Sequence, residues 1–253
     1  ITIPAGIKTI GANTFNFCRK LEKINYLGTI DQWAEIAFGE DALLYAKNLY
    51  INDALVTEVN LTTATKISAY AFEKFLSITS VTIPETVTAI GDSAFLACDN
   101  ITDITIPNSV KAIGKFAFTG CNKLRDNFNV YGNARYLDNA ENPYYALIET
   151  IWTERWQFIE CNINQNCKII AGAVFNRLDF LPEITIPSGV FFIGDWAFRE
   201  CDALTNVTFE NPDGWYVSQD ILSTSGDDVV LAVTEQNATL LTSTYCDYFW
   251  KRK

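Results

Sequence analysis

The hydrophobic positions along this chain fall into a unit that recurs. Apolar and polar residues alternate in ITIP at residues 1–4, VTIP at 81–84, ITIP at 104–107 and ITIP at 184–187. Alternation with period two marks a short strand with one buried face. The proline ends that strand, because it has no N–H to give to a ladder. A second apolar pair follows, such as Val87 and Ile90, and then a glycine expected to permit a turn closed to other residues. The units close on Ala-Phe-x-x-Cys-x-x-Leu, with Thr14 for the Ala in the first and Ile101 for the Leu after Pro84; apolar groups three apart predict a single helical turn facing inward. In the four full copies the proline and the phenylalanine stand eleven positions apart: Pro4 and Phe15, Pro84 and Phe95, Pro107 and Phe118, Pro187 and Phe198.

Aligned on that phenylalanine, six blocks emerge at residues 1–24, 59–78, 81–101, 104–124, 161–181 and 184–204, the third and fourth with a period of twenty-three. The second block lacks the proline, and the fifth has Asn164 in its place. No block can bury its own Phe and Leu, but stacked neighbours bury them together. The expected architecture is an α/β solenoid over residues 1–209, one coil per repeat, with short parallel strands on one face. Inserts at 25–58 and 125–160 interrupt it, and a capping segment at 210–253 follows. In the first insert, Asp31 is expected to cap a short helix carrying Trp33, Ile36 and Ala37.

Five tryptophans lie in the inserts and tail: Trp33, Trp152, Trp156, Trp215 and Trp250. Such rings either cover the exposed faces and ends of the stack or present platforms to sugars and peptides.

The cysteines Cys18, Cys98, Cys121 and Cys201 all stand three residues after the repeat phenylalanine. The same slot holds Phe75 and Leu178 in the other blocks, and Cys161 and Cys167 align with Val81 and Val87. A slot shared with Phe, Leu and Val is apolar, so these six thiols are expected to pack the core. A disulfide or a metal ligand is the alternative. Cys246 stands outside the pattern.

Composition narrows the function. A net charge of −11 with only 19 Lys plus Arg excludes the basic patches that nucleic acid or an anionic membrane surface requires. No apolar run approaches the ~18 residues of a membrane span. The absence of histidine removes the commonest general base and metal ligand. No G-x-S-x-G, P-loop, H-E-x-x-H or C-x-x-C occurs. No catalytic residue, metal site or cofactor is therefore expected. Adjacent acids, Asp227-Asp228 and Glu40-Asp41, read as solvated loop surface, with a calcium site as the alternative. The chain opens in mid-pattern at Ile1 without a leader, so signal and anchor segments are expected to lie outside it.

One row of residues is a candidate binding face. The polar residue between the paired apolars of each strand is Thr2, Asn60, Thr82, Thr105, Asn162, Thr185 or Thr208. Stacked in parallel, these form a polar ladder on the exposed side. Thr suits an exposed strand position for its β-propensity alone, and such a flat face is also what repeat proteins use to recognise macromolecules.

The block pattern I-T-I-P-x-x-V-x-x-I-G-x-x-A-F-x-x-C-x-x-L resembles the BspA type of leucine-rich repeat. YLGTIDQW (26–33), YLDNAENPYYALI (136–148) and LTSTYCDYFWKR (241–252) are similar to segments found in secreted BspA-like proteins of gut and oral anaerobic bacteria. The resemblance implies a right-handed leucine-rich-repeat superhelix and a secreted or cell-surface protein. It also implies adhesion to a host extracellular-matrix protein or another microbial surface, with no shared catalytic residues. A monomer is expected. The alternatives are a spacer domain of a larger surface protein and a carbohydrate-binding module using the insert aromatics.

Overall fold

The computed structural model describes residues 1–151, 160–222, 229–230 and 237–253. Trp152, Trp156 and Asp227-Asp228 lie outside the described residues. The chain divides into two units, one of Ile1–Val110 with Phe116–Asn127 and one of Lys111–Lys115 with Phe128–Lys253.

In the first unit the apolar-polar-apolar triplets form short parallel strands, as their alternation requires. Thr2–Ile3, Lys23–Tyr26 and Asn48–Ile51 make one ladder, with Thr2 opposite Asn25 and Asn25 opposite Tyr50. Glu58–Asn60, Ser80–Thr82 and Asp103–Thr105 make a second, with Val59, Val81 and Ile104 in one buried row. Across the coils, Thr9–Ile10 pairs with Ala37–Phe38, and Lys66–Ile67 with Ala89–Ile90.

Residues 25–58, set apart by the sequence pattern, thus carry strands in register with the first coil. In this stretch a one-turn helix, Ile30–Ala34, replaces the proline turn. Its cap is Thr29, whose hydroxyl accepts from the Gln32 N–H while the Gln32 side chain accepts from the Thr29 N–H. This reciprocal pairing satisfies two of the helix's orphan donors. Asp31 does not cap the helix. Its carboxylate instead accepts the backbone N–H groups of Thr62, Thr63 and Ala64 at 2.8–2.9 Å. Partial burial raises its pKa, but these donors outweigh burial and hold the carboxyl below its ordinary value. Trp33, fully buried, packs against Tyr26, Phe38 and Phe75 and donates its indole N–H to the Ala71 carbonyl at 2.7 Å.

The Ala-Phe-x-x-Cys arc is not helical, which corrects the expected helical turn and the α/β label: the fold is a β-solenoid with little helix. The arc is a run of linked turns. In the coil around Phe95, alternate N–H groups close turns within the coil, Ala94 to Gly91, Leu96 to Ser93 and Cys98 to Phe95. The N–H groups between them leave the coil: Phe95 donates to Ala117 and Ala97 to Thr119, at 2.8–2.9 Å. Tyr70, Phe72 and Lys74 donate to Asp92, Ala94 and Leu96 in the same way. Aiming the chain's donors alternately inward and along the stack requires left-handed residues at Ser93 (φ 52) and Ala97 (φ 56). Tyr70, Lys74 and Phe116 share that conformation. An L-residue there costs about 1–2 kcal/mol, and the inter-coil bonds offset it.

The repeat glycine has a different job from the one expected. Gly91 and Gly194 have no positive φ, whereas the non-glycine positions two residues on do. A Cβ on Gly91 would lie 2.4 Å from the Ala69 backbone nitrogen, and one on Gly194 would lie 2.3 Å from that of Gly172. Glycine is needed because the next backbone passes too close for any side chain.

In the second unit, Glu183–Ile186 and Asn206–Phe209 pair in parallel on the strand face, and Ile169–Ile170 and Phe192–Ile193 across the coil. Residues 125–160 contribute the antiparallel strands Asn129–Tyr131, Ala134–Leu137 and Ala146–Thr150, the last joined in parallel to Ile169–Ile170. The tail strand Phe249–Arg252 lies antiparallel to both Phe192–Ile193 and Trp215–Ser218. The Trp196 N–H, which a further coil would otherwise take, bonds to the Cys246 carbonyl at 2.6 Å.

Candidate binding face

The residues of the polar row all lie exposed: Thr2, Asn60, Thr82 and Thr105 in the first unit, Asn162, Thr185 and Thr208 in the second. Register brings Asn60 beside Thr82, Thr82 beside Thr105, and Thr185 beside Thr208. Asn162 lies outside a strand, at the rim of a groove of about 480 Å³ that Tyr131, Glu160, Glu183, Thr185 and Thr208 also line. Thr2 does not sit beside Asn60, because Asn25 and Tyr50 follow it in the ladder. The sequence pattern missed these two equivalent positions, whose block has neither the proline nor the Ile-Gly pair; Asn25 is buried and Tyr50 half-buried, so neither extends the exposed row.

The threonines of the strand region divide into two kinds. At the strand entries, the hydroxyls of Thr79, Thr102 and Thr205 donate to the carbonyls of Thr57, Thr79 and Pro182 in the preceding coil. On the face, the hydroxyls of Thr82, Thr105, Thr185 and Thr208 bond to no partner among the described residues. Glu58 and Asn60, and Glu160 and Asn162, are coupled by amide-to-carboxylate bonds of 3.3 and 2.7 Å. The face is polar, acidic and prearranged.

The thiols resolve differently. All seven cysteines are free. Cys98, Cys121 and Cys201 are buried, and each donates to the carbonyl of the phenylalanine one coil earlier, Phe72, Phe95 and Phe175, at 2.9–3.1 Å. Each of these carbonyls also accepts an N–H within its own turn, so the thiol takes the second lone pair. Burial pushes Cys121, Cys161, Cys167 and Cys201 up to about 12 and Cys98 well above its ordinary value. Such thiols stay protonated and inert at neutral pH. Cys18 is the exception among the six expected in the core: it is exposed, as is Phe17, and Phe15 is only half-buried. In this arc the Phe17 N–H bonds to the Asn16 side-chain oxygen at 2.9 Å, whereas the equivalent Ala97 N–H bonds to the Thr119 carbonyl of the neighbouring coil.

The tryptophans Trp33, Trp215 and Trp250 are at most 1% exposed, each with its indole N–H bonded to a carbonyl. Rings so enclosed cannot serve as sugar platforms. Among the described residues no group of three or more acidic or thiol side chains is placed to hold a metal ion, and no helix is long and apolar enough to cross a membrane.

No curated protein matches the chain. Among solved structures it is similar to a leucine-rich repeat protein from Bacteroides ovatus (28% identity, TM-score 0.31, 60% of this chain and 33% of that one). It is also similar to a leucine-rich cell surface protein from Faecalibacterium prausnitzii (24% identity, TM-score 0.37, 82% and 60%). A third is a leucine-rich repeat protein from Eubacterium ventriosum (18% identity, TM-score 0.37, 82% and 59%). The chain spans from one third to three fifths of the length of these proteins. The model of the BspA-type leucine-rich repeat region matches residues 1–59, 44–141 and 148–221, in six copies. With the repeat phenylalanines stacked coil on coil, Phe72 on Phe95, Phe95 on Phe118 and Phe175 on Phe198, and the family pattern along most of its length, the chain belongs to the BspA-type leucine-rich repeat family.

Proposed function

We propose that this chain is a non-enzymatic recognition protein of the cell surface or secreted space, and that it engages a host or microbial macromolecule through its strand face. The observation that carries this reading is the division of the threonines. Those at the strand entries tie coil to coil, whereas Thr82, Thr105, Thr185 and Thr208 present exposed hydroxyls that serve no internal bond. Donors and acceptors with no structural duty, held on the strand ladder of each unit, need little ordering on binding. The acidic charge of the chain favours a partner with basic character.

The test is a binding screen of the chain against immobilised fibronectin, fibrinogen and glycans. The triple variant Thr82→Glu, Thr105→Glu, Thr185→Glu is expected to keep its melting temperature within a few degrees and to lose at least tenfold in affinity. Undiminished affinity in the triple variant removes the face from the binding site. A chain that binds none of the panel favours the spacer role instead.

A further inference from the structure

The strand face of the first unit is broken at one place. After Asn48–Ile51 the chain turns back through Asn52 and Asp53 (φ 47 and 66) into the antiparallel strand Ala54–Leu55, and a new ladder opens at Glu58–Asn60. The turn is pinned. The Asn25 side chain donates to the Asp53 carboxylate at 3.0 Å and accepts the Asp53 N–H at 2.9 Å, while Asn52 donates to the Gly28 carbonyl at 3.1 Å. Only Val56 and Thr57 separate the two strands, yet they belong to different sheets.

Strand parity then fixes which backbone groups face the break. The Val56 N–H bonds to the Leu49 carbonyl and the Leu61 N–H to the Thr82 carbonyl. By alternation, Ala54 and Val56 turn to one neighbour, Val59 and Leu61 to the other, and Leu55, Glu58 and Asn60 turn to neither. Alternation thus directs their backbone N–H and C=O groups away from both ladders. Between the two edges lies a cleft of about 560 Å³, lined by Gly28, Ile30, Ile51, Leu55, Val56 and Glu58 among others. That size falls within the range of about 300–1,000 Å³ typical of ligand sites.

We propose that this cleft is a strand-addition site, which takes up an extended segment of a partner protein by pairing it with the outward edge of Glu58–Asn60. Backbone bonding supplies the attachment and alternate side chains the selection. The segment fitted to it has apolar residues at alternating positions, to meet Leu55 and Ile51, and a lysine or arginine to meet Glu58. Open edges are normally blunted by shortness, charge (lysine above all) or proline; Glu58–Asn60 is short and carries the charge of Glu58 but has no lysine or proline, and Leu55 beside it is 42% exposed. A second copy of this chain is disfavoured as occupant, since pairing edge to edge sets one Glu58 near another and a charge of −11 against −11. The site uses backbone rather than the hydroxyl row, so it goes beyond the face proposed above and fails or stands separately.

The experiment is selection of a twelve-residue peptide display library on the whole chain. Enriched peptides are expected to alternate apolar residues and to carry lysine or arginine. Their affinity is expected to fall at least tenfold for Glu58→Pro, which removes an outward N–H at the first strand position, where proline is tolerated. Glu58→Gln is expected to lower it about threefold. The Thr82, Thr105, Thr185 triple variant is expected to bind them as the wild type does. In the wild-type chain, where no folding defect enters, bound peptide is expected to slow amide exchange at Glu58 and Asn60. The proposal is overturned if no peptide is enriched, if binders leave exchange at Glu58 and Asn60 unchanged, or if they bind Glu58→Pro equally. It is also overturned by sedimentation that finds a dimer which Glu58→Pro dissolves, since the edge then belongs to a second copy.

Discussion

On the strand face, coil is tied to coil by extended backbone, with Val59, Val81 and Ile104 in register beneath the surface and Thr82 and Thr105 above it. On the arc, the same task falls to N–H groups at Tyr70, Phe72 and Lys74, two of them on residues held in the left-handed region. The strand face reaches its ladder without strain and so has side chains to spare for the outside. The arc reaches its ladder only by unfavourable backbone, and it recovers the cost inside. Phe72 stacks on Phe95 at 5.3 Å and Phe95 on Phe118 at 5.6 Å, nearly parallel, and the thiols bond the phenylalanine carbonyls beneath. Function is to be sought on the unstrained side, stability on the other.

That contrast is sharpest where a ring is removed. Phe95→Ala takes the middle ring from the stack of three and is expected to cost about 3–5 kcal/mol in urea unfolding, as a cavity in a shared core. A cost below 1 kcal/mol would mean that the arc does not carry the core. Gly91→Ala comes next, because its methyl would meet the Ala69 backbone at 2.4 Å. A loss of about 1–3 kcal/mol is expected from overpacking; a neutral result would return the glycine to a turn-forming role. Cys98→Val should cost about 1 kcal/mol, the scale of one net hydrogen bond, with the carbonyl of Phe72 keeping its weaker N–H partner from Phe75 at 3.4 Å. Thr82→Val is the matched change on the other side. It should stay within about 0.5 kcal/mol, since that hydroxyl bonds nothing. If the two valine variants shift the melting temperature equally, the division between a functional face and a structural arc has no energetic basis.

How far the sequence could be read follows the same division. The apolar-Thr-apolar triplets announced strands and their exposed row, because period-two alternation is local and the proline marks its end. The phenylalanine spacing announced the stack. The cysteine slot was legible as apolar from Phe75 and Leu178, but the thiol bond to Phe72 was not, since the acceptor lies twenty-six residues away. The three-residue spacing of Ala-Phe-x-x-Cys suggested a helix, and consecutive turns share that spacing. Only the alternation of donors between the coil and its neighbour distinguishes them. Asp31 stands next to a helix start and suggested a cap, but its partners Thr62, Thr63 and Ala64 are brought to it by the next coil.

The sequence by itself determined the repeating unit, most of the strand positions, the apolar slot of five of the six repeat thiols and membership of a stacked architecture, because each of these rests on spacing along one chain. The tertiary structure decided the rest. It placed residues 25–58 within the stack through Thr2, Asn25 and Tyr50, and it buried Trp33, Trp215 and Trp250, three of the five tryptophans that the sequence left open as platforms. It also left the edge of Glu58–Asn60 bare beside a hairpin. These depend on which backbone comes alongside which. Stacking sets that through bonds between residues some twenty positions apart or more, and no local pattern of apolar and polar residues encodes it.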